Sequence, residues 1–271
     1  MNKIVPFVKM QATGNDFVIL DDREDILKGV DLAALSISIC DRHFGVGADG
    51  LIIVLPSSKA DLKMRIFNPD GSEPEMCGNG IRCFAKYVYD SAKEKKDVLS
   101  VETLAGIMVP AVIVKDNEAV GAEVDMGEPK YSKPKDLKLE SEVVKITEVS
   151  MGNPHCVIFV DDLGTIDLAV IGPKIENHPH FPNRTNVEFV QVLSDKEMSV
   201  KVWERGAGET LACGTGACAS VVAGVLAGKT SRRVLVRLPG GNLDVEWEAE
   251  DNHVALRGSA ERVFDGNYNL K

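Results

Sequence analysis

Two short segments of this chain combine residue type and spacing in a way that could do chemistry: Cys77-Gly-Asn-Gly80 and Cys213-Gly-Thr-Gly216. After each one, apolar residues recur at helical spacing: Ile81, Phe84, Ala85 and Val88 in the first case, Ala217, Val221, Val222, Val225 and Leu226 in the second. Each cysteine therefore precedes a helix, where backbone N–H groups are unsatisfied and the helix dipole is positive. Both features favour a thiolate over a thiol. The glycines let a ligand approach the backbone closely, so the same turn can also hold a carboxylate.

One such turn would suit a nucleophile or an anion site. Two of them can face one ligand from opposite sides, which suits inversion of a carbon centre. One thiolate would remove a proton, the opposing thiol would return one to the other face, and a carboxylate on the helix ends would be stabilised as charge grows on it. The two thiols would then hold one proton between them and titrate as a coupled pair. The four other cysteines, Cys40, Cys83, Cys156 and Cys218, read as structural, because free cysteine usually packs as a small hydrophobe. Cys83 and Cys218 lie within the apolar helical stretches, and Cys156 precedes the apolar run Val157–Val160. Only Cys213 and Cys218 have the two-to-four-residue separation that structural zinc sites prefer, and a single pair falls short of a four-ligand site.

Polar residues beside glycine or proline form a second group. Asn15 lies in Thr13-Gly-Asn-Asp-Phe17, Asn68 in Phe67-Asn-Pro-Asp-Gly71, Asn153 in Met151-Gly-Asn-Pro-His155, and Asn186 in Asn183-Arg-Thr-Asn186. An amide offers donors and an acceptor, so it can meet both ends of a zwitterion without adding charge. Asparagine beside glycine or proline also simply makes turns. Arg205 could fork onto a carboxylate and Glu204 could take an ammonium or tune a thiol, though an adjacent Glu-Arg pair is ordinarily a solvated one. His155 is either a satisfied structural histidine or a group that shifts a nearby thiol.

The elements that must position these residues are strand-rich. Gly50–Leu55, Val109–Val114, Val157–Val160 and Val234–Leu238 are short, branched-aliphatic and bounded by glycine, proline or charge. Lys115-Asp-Asn-Glu118 reads as a hairpin tip or a domain crossing, and the domain boundary is placed there. The segment from Pro129 to Pro134 and the charged stretch after it read as a surface excursion without chemistry. The length of 271 residues favours two domains of about 130 residues each, and the repeated Cys-Gly-x-Gly turn suggests duplicated halves. Hydrophobic residues make up 44% and charged residues 27%, so the composition is that of an ordinary globular protein. The net charge of −10 disfavours nucleic acid and anionic membranes, pointing to a small-molecule partner. The first residues lack the apolar run of a signal peptide, so a cytoplasmic location is expected.

The chain resembles the diaminopimelate epimerase family over nearly its whole length. The likeness is carried by Thr13-Gly-Asn-Asp-Phe17, Asp41-Arg-His-Phe-Gly-Val-Gly47, Phe67-Asn-Pro-Asp-Gly-Ser72, Met76-Cys-Gly-Asn-Gly-Ile-Arg-Cys83, Ser150-Met-Gly-Asn-Pro-His-Cys156 and Trp203-Glu-Arg-Gly-Ala-Gly-Glu-Thr-Leu-Ala-Cys-Gly-Thr-Gly216, in the family's order. The resemblance implies interconversion of LL- and meso-2,6-diaminopimelate, in lysine and peptidoglycan precursor biosynthesis, without pyridoxal phosphate or any other cofactor and without metal. Cys77 and Cys213 would be the acid/base thiols. Asn15, Asn68, Gly78, Asn79, Asn153, Asn186, Glu204, Arg205, Gly214 and Thr215 would bind substrate, and His155 and Glu204 would modulate the thiols.

The implied fold is α+β, with two similar pseudo-symmetric domains, each a curved, mainly antiparallel or mixed, barrel-like sheet around a central helix, and the site in the cleft between them. With the final strand returning to the first half, residues 1–117 and 262–271 would form the N-terminal domain and 118–261 the C-terminal one, in a homodimer. Gly50 stands where many members carry Gln, so one substrate contact would be missing, and Thr215 replaces the more frequent Ser. The alternatives are a proline or hydroxyproline racemase or a phenazine-type isomerase of the same wider fold, and, from another class, a thiol–disulfide switch or an amino-acid binding protein.

Overall fold

A computed structural model describes residues 3–139 and 142–270. In chain order the elements are β1 (Lys3–Ala12), β2 (Asn15–Asp21), α1 (Leu32–Cys40), β3 (Gly50–Leu55), β4 (Leu62–Phe67), α2 (Gly78–Ser91), β5 (Val101–Thr103), β6 (Gly106–Met108), β7 (Ala111–Lys115) and β8 (Glu118–Asp125). There follow β9 (Lys130–Tyr131), β10 (Lys135–Lys138), β11 (Val143–Ser150), β12 (Pro154–Phe159), α3 (Leu168–Glu176), β13 (Asn186–Ser194), β14 (Glu197–Glu204) and β15 (Gly208–Thr210). The chain ends with α4 (Gly214–Leu226), β16 (Arg233–Leu238), β17 (Gly241–Trp247), β18 (Val254–Ser259) and β19 (Glu261–Leu270). The fold is α+β, mostly sheet, and divides into two compact units: one runs to Val124 and resumes at Gly258, the other is Asp125–Arg257.

In the first unit the strand order is β19-β1-β2-β3-β4-β5-β6. Its interior strands read as unbroken apolar runs because both faces are covered: Leu51 to Val54 are all fully buried. One face packs on α1 through Val18, Leu20, Leu35, Ile39, Leu51 and Ile53. The other wraps α2, which touches β1, β2, β3, β4, β7 and β19. Strands β1 and β2 are joined by a two-residue turn in which Thr13 (φ 52°) and Gly14 (φ 82°) both have positive φ, the geometry that matches the twist of a tight hairpin. Lys115-Asp-Asn-Glu118 is a hairpin tip of the same kind between β7 and β8, with Asp116 and Asn117 at positive φ.

In the second unit β10, β11, β12, β13, β14, β16, β17 and β18 are neighbours in that order, with β9 on β11 and β15 on β14. The sheet curves around α4, which touches β11 to β14, β16 and β17. Cys156, Ile158, Val187 and Phe189 point to the opposite side, into a cluster with Leu168 and Ile175 of α3. By strand alternation His155 on β12 and Asn186 and Glu188 on β13 point toward α4. Both sheets are open rather than closed barrels. The stretch from Pro129 to Leu139 carries the short strands β9 and β10. Among the described residues no helix is long and apolar enough to cross a membrane.

Candidate active site

Cys77 is the residue that caps α2. Its backbone is extended (φ −138°, ψ 119°) and its Sγ accepts the Gly80 N–H at 3.4 Å, the position normally given to Ser, Thr, Asp or Asn. The first turn is buried, Gly78 and Asn79 included. Beneath it lies Arg82, a guanidinium with no exposed surface, which donates to Gly78 O (3.0 Å), Asn79 Oδ1 (2.9 Å) and Thr13 Oγ1 (3.2 Å). Arg82 thus ties the Cys77 turn to the hairpin that carries Asn15. Asn79 spends its amide oxygen on this arginine. Asn15 is different: its Oδ1 is buried and accepts no hydrogen bond, a state that costs about 1–3 kcal/mol unless a ligand donor meets it.

The Asn15 hairpin is held by charge. Asp16 meets Arg42 at 2.8 Å and Lys9 at 2.5 Å. Burial works to raise its pKa, but these partners prevail and hold it at about 2. Gly50 is buried in β3, where a side chain would begin 3.1 Å from Phe67 O and 3.2 Å from the Phe17 ring. Asn68 stabilises its own loop, its Nδ2 donating to Ser72 Oγ at 2.9 Å.

The Cys213 turn has the same form and a more polar surrounding. Cys213 caps α4 with extended backbone, and its Sγ lies 3.4 Å from Thr215 Oγ1. From there a chain of contacts runs inward: Thr215 Oγ1 accepts Asn153 Nδ2 at 3.2 Å, Asn153 Oδ1 is 3.0 Å from His155 Nε2, and His155 Nδ1 is 2.7 Å from Glu188 Oε1. Gly216 explains how Glu188 fits: a Cβ there would stand 2.7 Å from Glu188 Oε1. Glu204 lies on the other side of the thiol and hydrogen-bonds to it, and its Oε1 accepts Thr210 Oγ1 at 2.5 Å. Burial raises the Glu204 carboxyl above its ordinary range.

The expectation that a helix N-terminus favours a thiolate fails for Cys213. Burial, then the Glu204 and Glu188 carboxylates, push its pKa well above the usual thiol value, against the Thr215 hydroxyl and Gly216 N–H acting the other way. The dipole of a helix end contributes about 0.3–1 kcal/mol, too little to offset removal of a charge from water. Cys83, Cys156 and Cys218 are fully buried and Cys40 nearly so, and among the described residues none of the six cysteines is in a disulfide.

Asn186 uses both arms of its amide on the backbone, Nδ2 to Pro154 O at 2.8 Å and Oδ1 from Arg205 N at 2.9 Å, so it shapes the Glu204-Arg205 loop. The exposed Arg205 side chain donates to Asn183 O at 3.2 Å. Glu176, at the end of α3, braces the same loop by accepting from Trp203 Nε1 (2.8 Å) and Gly206 N (2.9 Å). Sequence reading missed Arg82, Glu176 and Glu188. The available signal for the last was a lone carboxylate inside the apolar run Val187-Glu-Phe-Val190. Among the described residues no group of three or more His, Cys, Asp or Glu is placed to hold a metal ion.

The chain is 53% identical to a diaminopimelate epimerase of Pelotomaculum thermopropionicum over 275 residues, covering 97% of this chain and 98% of that one. It is 51% identical to one of Moorella thermoacetica, covering 97% and 99%. Among solved structures, a phenazine biosynthesis protein of the PhzF family from Bacillus anthracis superposes with a TM-score of 0.76 at 18% identity, covering 99% and 100% of the two chains. A hydroxyproline epimerase from Agrobacterium vitis gives 0.74 at 16%, covering 98% and 93%. At such identities these two structures speak to the fold alone. The family model described as diaminopimelate epimerase matches residues 7–132 and 147–263, and the chain belongs to the diaminopimelate epimerase family.

Proposed function

We propose that this chain is an isomerase that interconverts LL- and meso-2,6-diaminopimelate by moving a proton across one α-carbon, with Cys77 and Cys213 as the two acid/base groups. The observation that carries this reading is the pair of matched caps: a cysteine at the head of α2 and another at the head of α4, each followed by Gly-x-Gly. In each direction one sulfur takes the α-proton as a thiolate while the other, as a thiol, delivers a proton to the opposite face. The roles exchange for the reverse reaction.

The remaining residues supply binding and charge control. The N–H groups of Gly78, Asn79, Gly214 and Thr215 open the two helices and suit a carboxylate gaining negative charge. Asn15 offers its unpartnered oxygen to an ammonium. Asn68, Asn153, Asn186, Glu204 and Arg205 complete the substrate set. His155 and Glu204 set the state of the thiols, Glu204 by direct hydrogen bond to Cys213. Burial and the Glu204 and Glu188 carboxylates favour the protonated form of Cys213 before substrate binds. No cofactor enters the scheme.

We assign the chain to lysine and peptidoglycan precursor biosynthesis in the cytoplasm, as a homodimer, with 1–117 and 262–271 as one epimerase domain and 118–261 as the other. The test is to supply purified protein with LL-diaminopimelate, reductant and no pyridoxal phosphate. Meso product is expected, with a loss of at least about a thousandfold in Cys77→Ala and Cys213→Ala and near-normal rates in Cys83→Ala. Absence of meso product from the wild-type protein would refute the assignment.

A further inference from the structure

Arg205 is held from one short segment at both its ends: its backbone N–H goes to Asn186 Oδ1 at 2.9 Å and its guanidinium to Asn183 O at 3.2 Å. That segment, 183–186, and the turn 204–207 are separate pieces of chain, and Glu176, the last residue of α3, accepts from both. Its Oε1 takes Gly206 N at 2.9 Å and Arg184 Nη1 at 3.2 Å, and its Oε2 takes Trp203 Nε1 at 2.8 Å. The segment is kept in an uncommon shape, since Arg184 has a φ of 58°, a left-handed conformation that a residue with a Cβ rarely adopts. The Arg184 guanidinium lies against Gly206, where a Cβ would meet both terminal nitrogens at 3.8 Å.

The helix itself gives no reason for a carboxylate at this position. Glu176 is 5% exposed and stands at the end of α3 where the helix dipole is negative, so burial and dipole both disfavour it, and its three donors all lie outside α3. It also lies on the far side of the sheet from the thiol. On β14, Trp203 packs on Gly172 of α3, whereas its neighbour Glu204 faces α4 and hydrogen-bonds Cys213. Glu176 thus reaches the Arg205 turn without touching the acid/base machinery.

We propose that Glu176 is a positioning residue for substrate recognition, which ties the 204–207 turn to the 183–186 segment and so holds the Arg205 guanidinium in one direction, ready to fork onto a substrate carboxylate. The inference rests on Arg205 being a substrate ligand. The helix N-termini take the carboxylate at the reacting centre, which leaves the second carboxylate of diaminopimelate to Arg205. That group keeps the same charge in substrate and transition state, so a misaligned Arg205 weakens both equally. The consequence is a raised KM with little change in kcat.

Turnover of LL-diaminopimelate is followed over a range of concentrations in the wild-type protein, Glu176→Ala, Arg205→Ala and the double variant. Glu176→Ala is expected to raise KM about tenfold and to hold kcat within about twofold. In the Arg205→Ala background, where KM is already raised, the same change is expected to add almost nothing. Full additivity of the two KM increases, or a fall in kcat at normal KM, would overturn the proposal while leaving Arg205 a ligand. A normal KM in Arg205→Ala alone would instead remove the reading on which the proposal rests, and the proposal with it. A second measurement needs no turnover: amide exchange in the peptide 203–208, followed by mass spectrometry, is expected to be faster in Glu176→Ala than in the wild type. Unchanged exchange would refute the tie. Should Glu176→Ala fail to fold, Glu176→Gln keeps the side-chain volume and one acceptor oxygen and is expected to raise KM about threefold; an unmoved KM in that variant would overturn the proposal.

Discussion

His155 Nδ1 stands 2.7 Å from Glu188 Oε1, and neither side chain has any solvent exposure. A buried pair of this kind is expensive to break from one side, because the survivor is left as an uncompensated group. His155→Gln should therefore destabilise the protein by about 3–5 kcal/mol. The double change His155→Gln/Glu188→Gln should lose clearly less than the sum of the single changes. Urea unfolding of the four proteins measures the coupling, and simple additivity would count against the pair.

Asn15 gives a prediction of opposite sign for stability and binding. Its buried Oδ1 accepts nothing in the free protein, so Asn15→Ala removes an unsatisfied group and should leave thermal stability unchanged or raise it by about 1 kcal/mol. KM should rise tenfold or more, as expected for the loss of about 1.4 kcal/mol of substrate contact. A destabilised variant with normal KM would assign Asn15 to the fold alone.

The two equivalent glycines should respond unequally to alanine. At Gly80 the new methyl would begin 3.0 Å from Ile66 Cδ1, the mobile end of an aliphatic side chain. At Gly216 it would begin 2.7 Å from Glu188 Oε1, which His155 pins in place. Gly80→Ala gains helix propensity of about 1 kcal/mol against mild crowding. Gly216→Ala should lose about 1–3 kcal/mol and much of the activity. Melting temperatures and initial rates of the two variants decide the matter.

This asymmetry marks what could and could not be read from the sequence. The two Cys-Gly-x-Gly caps, and the strand at Gly50–Leu55, follow from local spacing and glycine content, because cap chemistry and burial on both faces leave a signature within a few residues. The low thiol pKa inferred from those caps was wrong for Cys213, since the deciding groups, Glu204 and Glu188, come from strands distant in sequence. Arg82, Glu176 and Glu188 escaped notice for the same reason. A charged residue reads as surface until tertiary contacts supply its partners. Asn186, read as a ligand to substrate, also holds the Glu204-Arg205 loop through Pro154 O and Arg205 N, a role that only the pairing of β12 with β13 creates.

Stability should fall on the alkaline side. Burial raises the Cys40 thiol to about 11 and Tyr87 to about 12, and lifts Cys83, Cys156 and Cys213 above the usual thiol range. Each thiol is neutral when protonated, so the unfolded chain loses its proton first and the folded state binds more protons above the ordinary thiol value of 9.0. The stabilisation is complete below that pH and is lost as pH climbs toward the folded-state values. Cys40 alone should account for about 2–3 kcal/mol by pH 11. Denaturant midpoints measured between pH 8 and 11 should decline, and less steeply in Cys40→Ala.

The most direct measurement is the fate of solvent deuterium in the first moments of reaction. LL-Diaminopimelate is incubated with the protein in D2O, and substrate and product are separated before a tenth of the substrate is consumed. The proposed inversion between two thiols predicts that the new meso isomer carries one deuterium at the inverted centre while the remaining LL isomer stays unlabelled. Meso product that retains the original hydrogen, or no meso product at all, would contradict inversion between two thiols.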